Sequence, residues 1–516
     1  MNRERLDRLC GGAEKTAAGL VLLLVFLFML YLTCCSFVET SVLNTADNSG
    51  EHIEFYRDNI FLNIIVQAIL LSAGYLFFRH GESIRLFRME NALMFWLFAF
   101  GTAFIATTKL RSPVFSDSFL VTYGAQRAAL GDYAILEESY FYRFPFQLGY
   151  VLYSEIFIRV FNFLLRGVPE GYAVLALQEM NLFWLMAEYH ALIQIAKLLF
   201  KDERIHKLTI LLLLLCLPPV LTTTFLYGNI PAFSCGSIAV WMFLRYIKKG
   251  GLRYAALCIV FLVLAVTLKL NLLIVCVAVG GVWLLRGIKK RSREALVCLL
   301  VAAVCVLTLP GVPQKLYEKR VGVSYGDGIP MIAWMAMGFS EGHAAPGWYR
   351  EDYTVTAFER TGHDAAATAE NAKQVLAERI DCFGRNPKDA VRFFTQKLKS
   401  QWNEPSCGSL WVNQVFPSYS QKGALYRLIC VSGEKVVLAV MDKLQQLVFL
   451  GMVAGIVRLW RKKDLLRALL PLIVLGGLSY HLLFEAKSQY AMPYYVLMTP
   501  IAAYGLFTLF RRVERR

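Results

Sequence analysis

"FQLGYVLYSEIFIRVFNFLLRG", residues 146–167, decides how this chain is laid out. The stretch is apolar enough to cross a bilayer, yet Glu155 and Arg159 stand near its middle. A charge carried to the bilayer centre is costly on insertion scales. Two readings compete: a span with buried charges, and an amphipathic helix lying in the interface. The rest of the sequence separates them.

The chain has 516 residues, 57% of them hydrophobic and 18% charged, with a mean hydropathy of +0.48. A soluble protein of that length needs more polar surface, and apolar runs recur almost end to end, so the class is an all-α polytopic membrane protein. The runs fall at 17–38, 60–78, 92–108, 172–196, 208–226, 232–246, 254–268, 270–285, 294–310, 436–457, 468–484 and 494–510, about twelve spans in all. The first is too long for a signal-peptide core and has no small-residue cleavage site, so it reads as a retained span. Basic clusters stand at 3–15, 79–88, 197–207, 245–253, 286–293, 458–467 and 511–516. With both termini cytoplasmic, twelve spans put every cluster on the inner side. A thirteenth span at 146–167 would put the next three clusters outside, so that stretch reads as an interfacial helix in an outer loop. The net charge of +16 reflects this bias and implies no nucleic-acid partner.

Four regions follow. Residues 1–91 form an N-terminal additional transmembrane pair, and 92–310 form the core, with a first outer loop at 109–171. Residues 311–435 form a second outer region, and 436–516 hold the last helices. Two amphipathic helices are expected in the second outer region, at 366–383 and 388–402. The latter repeats Val391, Phe394, Leu398 and Trp402 at helical spacing, with basic residues on its other face.

The seven histidines are scattered, and no HExxH, GxSxG, Walker loop or CxxC occurs. That argues against a metalloprotease, a hydrolase elbow and a nucleotide-driven pump. Most of the 12 cysteines lie in apolar runs, leaving Cys382, Cys407 and Cys430 in a polar region, which suggests neither a disulfide framework nor a zinc site. No cofactor and no metal ligand set is implied, though a divalent cation stays open. What stands out is "RSPVFSDSFLVTYGAQ" (111–126), with the lone carboxylate Asp117 just past an apolar run. By residue type it suits an N-cap for a helix starting near Phe119.

A span, an outer loop with a lone Asp, interfacial helices and a ladder of short spans resemble the GT-C fold of membrane glycosyltransferases. Protein O-mannosyltransferases and lipid A aminoarabinose transferases belong to that group. "SPVFSDSFLV…YFYRFPFQLGYVLYSEIFIRVF" (112–161) is similar to the first outer loop of bacterial members, and "FEAKSQYAMPYYVLMTPIAAYGL" (484–506) to the end of their late outer loop. Gln489 stands where Arg is common, which leaves Lys487 as the nearest cation. Where a second acid is common in the next outer loop, this chain has "YGNIPAF" (227–233). The resemblance follows the order of elements over about 92–510.

It implies an inverting transferase that takes a sugar from a polyprenyl phosphate at the outer surface of a bacterial plasma membrane. The acceptor is a cell-envelope glycan, lipid or protein, and membrane lipid is the other partner. Asp117 is then the general base that removes the acceptor hydroxyl proton. Arg143 and Lys487 are candidates for the lipid phosphate, or else snorkel at the interface. Tyr490 bonds the same phosphate or joins an aromatic belt, and Glu485 pairs with Lys487 or a neighbour. Glu138 is an acceptor-site candidate or a solvated residue. Trp334, Trp348 and Tyr349, in "PMIAWMAMGFSEGHAAPGWYREDY" (330–353), make a sugar platform or the roof of the bundle, and Trp402 and Glu404 read the same way. Glu179, Glu188 and His190, inside a span, are best met by hydrogen bonds from neighbouring helices. Two other classes compete. A transporter or flippase for lipid-linked saccharides calls for an internal repeat, and the halves show no clear similarity. A polysaccharide polymerase or ligase leans on several Arg in a late outer loop and has no need of an early Asp.

Overall fold

The computed structural model describes residues 3–44, 50–108, 116–167, 170–415 and 423–515. The lead-in "SPVF" (112–115) and Arg516 lie outside them. The chain opens with α1 (Arg3–Val38), a hairpin of β1 (Glu39–Asn44) and β2 (His52–Arg57), α2 (Ile60–His80) and α3 (Leu86–Thr108). A first set of short elements follows: α4 (Ser116–Ala129), α5 (Ser139–Arg143) and α6 (Leu148–Leu164). Next come α7 (Glu170–Leu199), α8 (Glu203–Leu215), α9 (Pro218–Thr222), α10 (Asn229–Lys249), α11 (Leu252–Leu268), α12 (Leu273–Lys290) and α13 (Arg293–Thr308). The second set holds α14 (Val312–Val321), α15 (Met331–Gly338), α16 (Val355–Arg360), α17 (Ala365–Arg385), α18 (Pro387–Trp402), α19 (Ser409–Gln414) and α20 (Ala424–Arg427). The chain closes with α21 (Glu434–Trp460), α22 (Leu469–Leu483) and α23 (Ser488–Glu514).

Among the described residues nine helices are long and apolar enough to cross a membrane, and α11 and α22 are shorter apolar helices. The chain is an all-α multi-pass membrane protein. Large side chains left bare on the bundle, such as Phe61, Phe95, Val277 and Leu307, are lipid-facing in such a protein. Helix starts follow local chemistry: Asn59, Asp202, Ser292 and Asp364 each accept a backbone N–H at the first turn of α2, α8, α13 and α17.

The basic clusters gather at one end of the bundle. There Lys197 meets Glu90, Lys207 reaches Gly81 O, Arg467 reaches Leu199 O, and Lys289 and Arg286 both pair with Glu14. The N-terminal pair is no appendage to this bundle. Ala18, Leu22, Val25, Met29 and Leu32 of α1 are fully buried in the same core as α21, α22 and α12.

The stretch 146–167 folds mainly as the 17-residue helix α6. Glu155 is buried and never left alone. It pairs with Arg159 at 2.8 Å and Arg320 at 3.0 Å and accepts a hydrogen bond from the Tyr317 hydroxyl. Tyr317 and Arg320 sit on α14, beyond the apolar run of α13. Phe163 and Leu164 at the far end of α6 stay exposed.

Two expectations need correction. The apolar run 208–226 is not one helix. Pro218 and Pro219 cannot donate backbone hydrogen bonds, so α8 stops at Leu215 and α9 starts afresh. The freed carbonyls are met by side chains: Tyr189 on Cys216 O, Gln178 on Thr224 O, Asn181 on Thr223 O and Asn413 on Leu221 O. The other correction concerns α18. Its buried face carries Phe393, Lys397, Leu398 and Trp402, while Val391 is exposed, so the helix packs on protein and one of its basic residues points inward. The cause is a pair of acceptors. Lys397 Nζ donates to Gly338 O and, at 2.7 Å, to Phe484 O, satisfying carbonyls that burial would otherwise leave bare.

Candidate functional site

At the end of the bundle opposite the basic clusters lies a cavity of about 1110 Å³. Its walls come from distant parts of the chain: the first turn of α4, the 138–147 segment, the turns at 225–227 and 269–271, the 331–355 segment, the 480–490 segment and the hairpin residues Glu51 and His52.

Helix α4 starts at Ser116, so Asp117 lies inside the first turn and not ahead of a start near Phe119. A carboxylate there is favoured by the helix dipole. Its Oδ2 accepts a hydrogen bond from the Tyr227 hydroxyl at 2.9 Å. The next residue, Ser118, donates to Leu226 O at 3.0 Å, tying α4 to the same turn. Tyr140 and Tyr227 lie 3.3 Å apart, hydroxyl to hydroxyl. Because the Tyr227 proton is used on Asp117, Tyr140 is the donor in that contact. Burial, and then the charge of Asp117, push both phenols well above their ordinary pKa, so both remain donors.

Lys269 occupies the turn between α11 and α12. Its Nζ stands 4.0 Å from the centre of the Tyr227 ring and 5.8 Å from that of Tyr490. Among the described residues it makes no hydrogen bond. Burial pulls its pKa down to about 7, against the pull of Glu485 and Asp117. Glu485, in the turn between α22 and α23, is pushed up to about 7 by burial and accepts from the Tyr490 hydroxyl at 3.3 Å. Lys487 is ion-paired with Glu51. Burial lowers the Lys487 pKa, but Glu51 and Glu485 more than reverse that, and it stays charged.

Of the residues singled out from the sequence, Asp117, Glu138, Arg143, Tyr349, Glu485, Lys487 and Tyr490 line this cavity. Their states differ. Glu138 is an exposed rim residue, and Arg143 is ion-paired with Glu359. Tyr349 is half-buried beside Glu351, with Trp334 also on the wall. Trp348 is the exception. It is fully buried, donates from Nε1 to Ser400 Oγ at 2.8 Å and packs beside Trp411, so it supports the wall from behind. Trp402 and Glu404 are buried away from the cavity as well, with Glu404 accepting from Ser406 N at 3.0 Å and Gly408 N at 2.6 Å. Glu179 accepts from Thr102, Glu188 from Ser237, and His190 lies edge-on to Trp241, as bridges between helices.

Sequence reasoning missed Lys269, Tyr227 and Glu51. Lys269 carried a signal: it is a lone cation between two apolar runs, 254–268 and 270–285. Tyr227 had none beyond its place in "YGNIPAF". Among the described residues no group of three or more His, Cys, Asp or Glu could hold a metal ion. Compared with protein-family models and with curated proteins, the sequence matches none.

Proposed function

We propose that this chain is an inverting glycosyltransferase of the GT-C type, crossing a bacterial plasma membrane twelve times with both termini and the basic end in the cytoplasm. Three crossings are then the short helices α11 and α22 and the broken pair α8–α9. The donor is a polyprenyl-phosphate sugar, and the acceptor is a hydroxyl of a cell-envelope glycan, lipid or protein. The observation that carries the reading is the pairing of Asp117 and Lys269 about one ring, Tyr227, in the wall of a cavity of about 1110 Å³. Ligand sites commonly run from about 300 to 1,000 Å³, so a sugar and its acceptor fit together.

In this mechanism the acceptor hydroxyl attacks the anomeric carbon. Its oxygen forms the new bond while the bond from that carbon to the phosphate oxygen breaks, with inversion. Asp117 accepts the hydroxyl proton, a role worth about 10²–10⁴ in rate. The departing phosphate gains a charge, and Lys269 is the cation offered to it. Arg143 and Lys487 already hold carboxylates, so they shape the field around the phosphate and leave direct contact to Lys269. Trp334 and Tyr349 give the sugar its apolar and hydroxyl-bearing wall.

The test is transfer by purified protein in nanodiscs, using a panel of radiolabelled polyprenyl-phosphate sugars. Wild type should release polyprenyl phosphate from one donor, and Asp117→Asn should lose at least 100-fold in rate while folding normally. Equal turnover by the mutant removes Asp117 from the chemistry. No release from any donor sinks the enzyme reading and favours movement of lipid-linked saccharide.

A further inference from the structure

The turn 226–228 touches both halves of the site. On one side Leu226 O receives Ser118 Oγ from α4, and the Tyr227 hydroxyl holds Asp117. On the other, Gly228 lies so close to the end of α11 that an added Cβ would sit 2.8 Å from Leu268 O and 3.2 Å from the Tyr150 ring. Gly228 also has φ +78°, a backbone state that a side chain would strain. The residue after Leu268 is Lys269, whose ammonium rests on the Tyr227 ring. The turn is therefore a strut between the helix that carries Asp117 and the turn that carries Lys269, and Tyr227 is its one side chain in contact with both.

We propose that Tyr227 is the positioning residue of the transfer reaction: its hydroxyl fixes the Asp117 carboxylate, its ring seats the Lys269 ammonium, and one side chain so sets the spacing of proton acceptor and phosphate anchor. This rests on the transferase reading given above. The two functions separate by atom. The hydroxyl acts on Asp117, because a hydrogen bond to one carboxylate oxygen fixes its rotamer. The ring acts on Lys269, because an ammonium over an aromatic face is attracted to it and held on its normal. Tyr227 takes no proton in the reaction. Its own proton is directed to Asp117, Tyr140 donates to its oxygen, and the buried phenol keeps that proton across the working range.

Two substitutions test the separation, on whichever donor wild type turns over. Tyr227→Phe keeps the ring and removes the hydroxyl. It should lower kcat about tenfold and leave donor KM unchanged. Tyr227→Leu removes the ring too and should add a rise of about tenfold in donor KM. A merely structural tyrosine would lower the yield of folded protein without splitting kcat from KM. If Tyr227→Phe has wild-type kcat, the proposal fails while the transferase reading stands. If wild type turns over no donor, both fail together. Should Tyr227→Phe not accumulate, Ser118→Ala loosens the strut at its other contact with α4, and its kcat should fall several-fold at unchanged donor KM. Wild-type kcat in Ser118→Ala overturns the strut.

Discussion

Two lysines, Lys269 and Lys397, are buried in different parts of the same end of the molecule, and burial pulls each down to a pKa of about 7. By burial and titration they are alike, but by neighbours they are opposite. Lys397, on α18, donates to Gly338 O and Phe484 O and so stitches the second set of short helices to the turn before α23. Lys269 faces a cavity, rests on a ring and makes no hydrogen bond among the described residues. A neutral amine still has two N–H groups, so Lys397 can lose its proton and keep both carbonyls. A phosphate anchor cannot. The comparison teaches that a depressed pKa does not mark function. The difference lies in whether the amine's partners are already in place.

The largest effect should come from exchanging the two by mutation. In the proposed reaction Lys269→Met removes the cation offered to the leaving group, and transfer should fall about 100-fold, the size of losing an electrostatic stabiliser in a dry site. Its melting temperature should hold or rise, because a buried charge with no hydrogen bond has gone. Lys397→Met should do the reverse. Two buried carbonyls lose their donor, at about 1–3 kcal/mol each, and thermal unfolding should shift down by several degrees while each folded molecule transfers sugar at near wild-type rate. Equal loss of activity in both variants at unchanged stability would erase the distinction.

The next effect is a pH response that separates the same pair. Lys269 loses its charge as pH rises through about 7, so donor KM should climb above neutrality by nearly tenfold per pH unit. The sign for stability is opposite. A lysine whose folded pKa lies below its unfolded value of about 10.4 binds fewer protons when folded, so each of the two adds stability as pH rises from about 7 toward 10. Donor KM measured at pH 6, 7 and 8, beside melting temperatures at the same values, should therefore diverge. A donor KM that stays flat across this range would take Lys269 off the phosphate.

Much of this arrangement was legible in the sequence, for reasons that particular residues make plain. Hydropathy marks where the long helices lie, because a bilayer-length apolar run has few other uses. The Glu155–Arg159 spacing marked α6 as a helix whose charges need partners, since a lone charge on an apolar helix is costly. Asp117, Glu485 and Lys487 reached one cavity because each flanks an apolar run at the same end. What was hidden depends on contacts across the chain. Nothing near Tyr227 in sequence announces Asp117, which lies 110 residues earlier. Glu51 meets Lys487 only because the N-terminal pair is embedded in the bundle. The inward turn of α18 could not be read either, since the two carbonyls that draw Lys397 in lie on separate segments. The break at 217–219 was readable, because two adjacent prolines inside an apolar run cannot both continue a helix.

The smallest effect tests two aromatic neighbours, Trp348 and Tyr349, that a sequence reader pairs as one platform. Trp348→Phe leaves a space in the wall and strips Ser400 of the indole donor that it receives at 2.8 Å. It should lower stability by about 1–3 kcal/mol and leave acceptor KM alone, since the ring never reaches the cavity. Tyr349→Phe should leave stability nearly unchanged, because its ring and packing persist. What it loses is a hydroxyl at the cavity wall, and acceptor KM should rise a few-fold, the size of one neutral hydrogen bond. Chemical denaturation and acceptor titration of both variants decide the matter. If Trp348→Phe changes acceptor KM more than Tyr349→Phe does, the wall is read from the wrong side and the platform includes the buried ring.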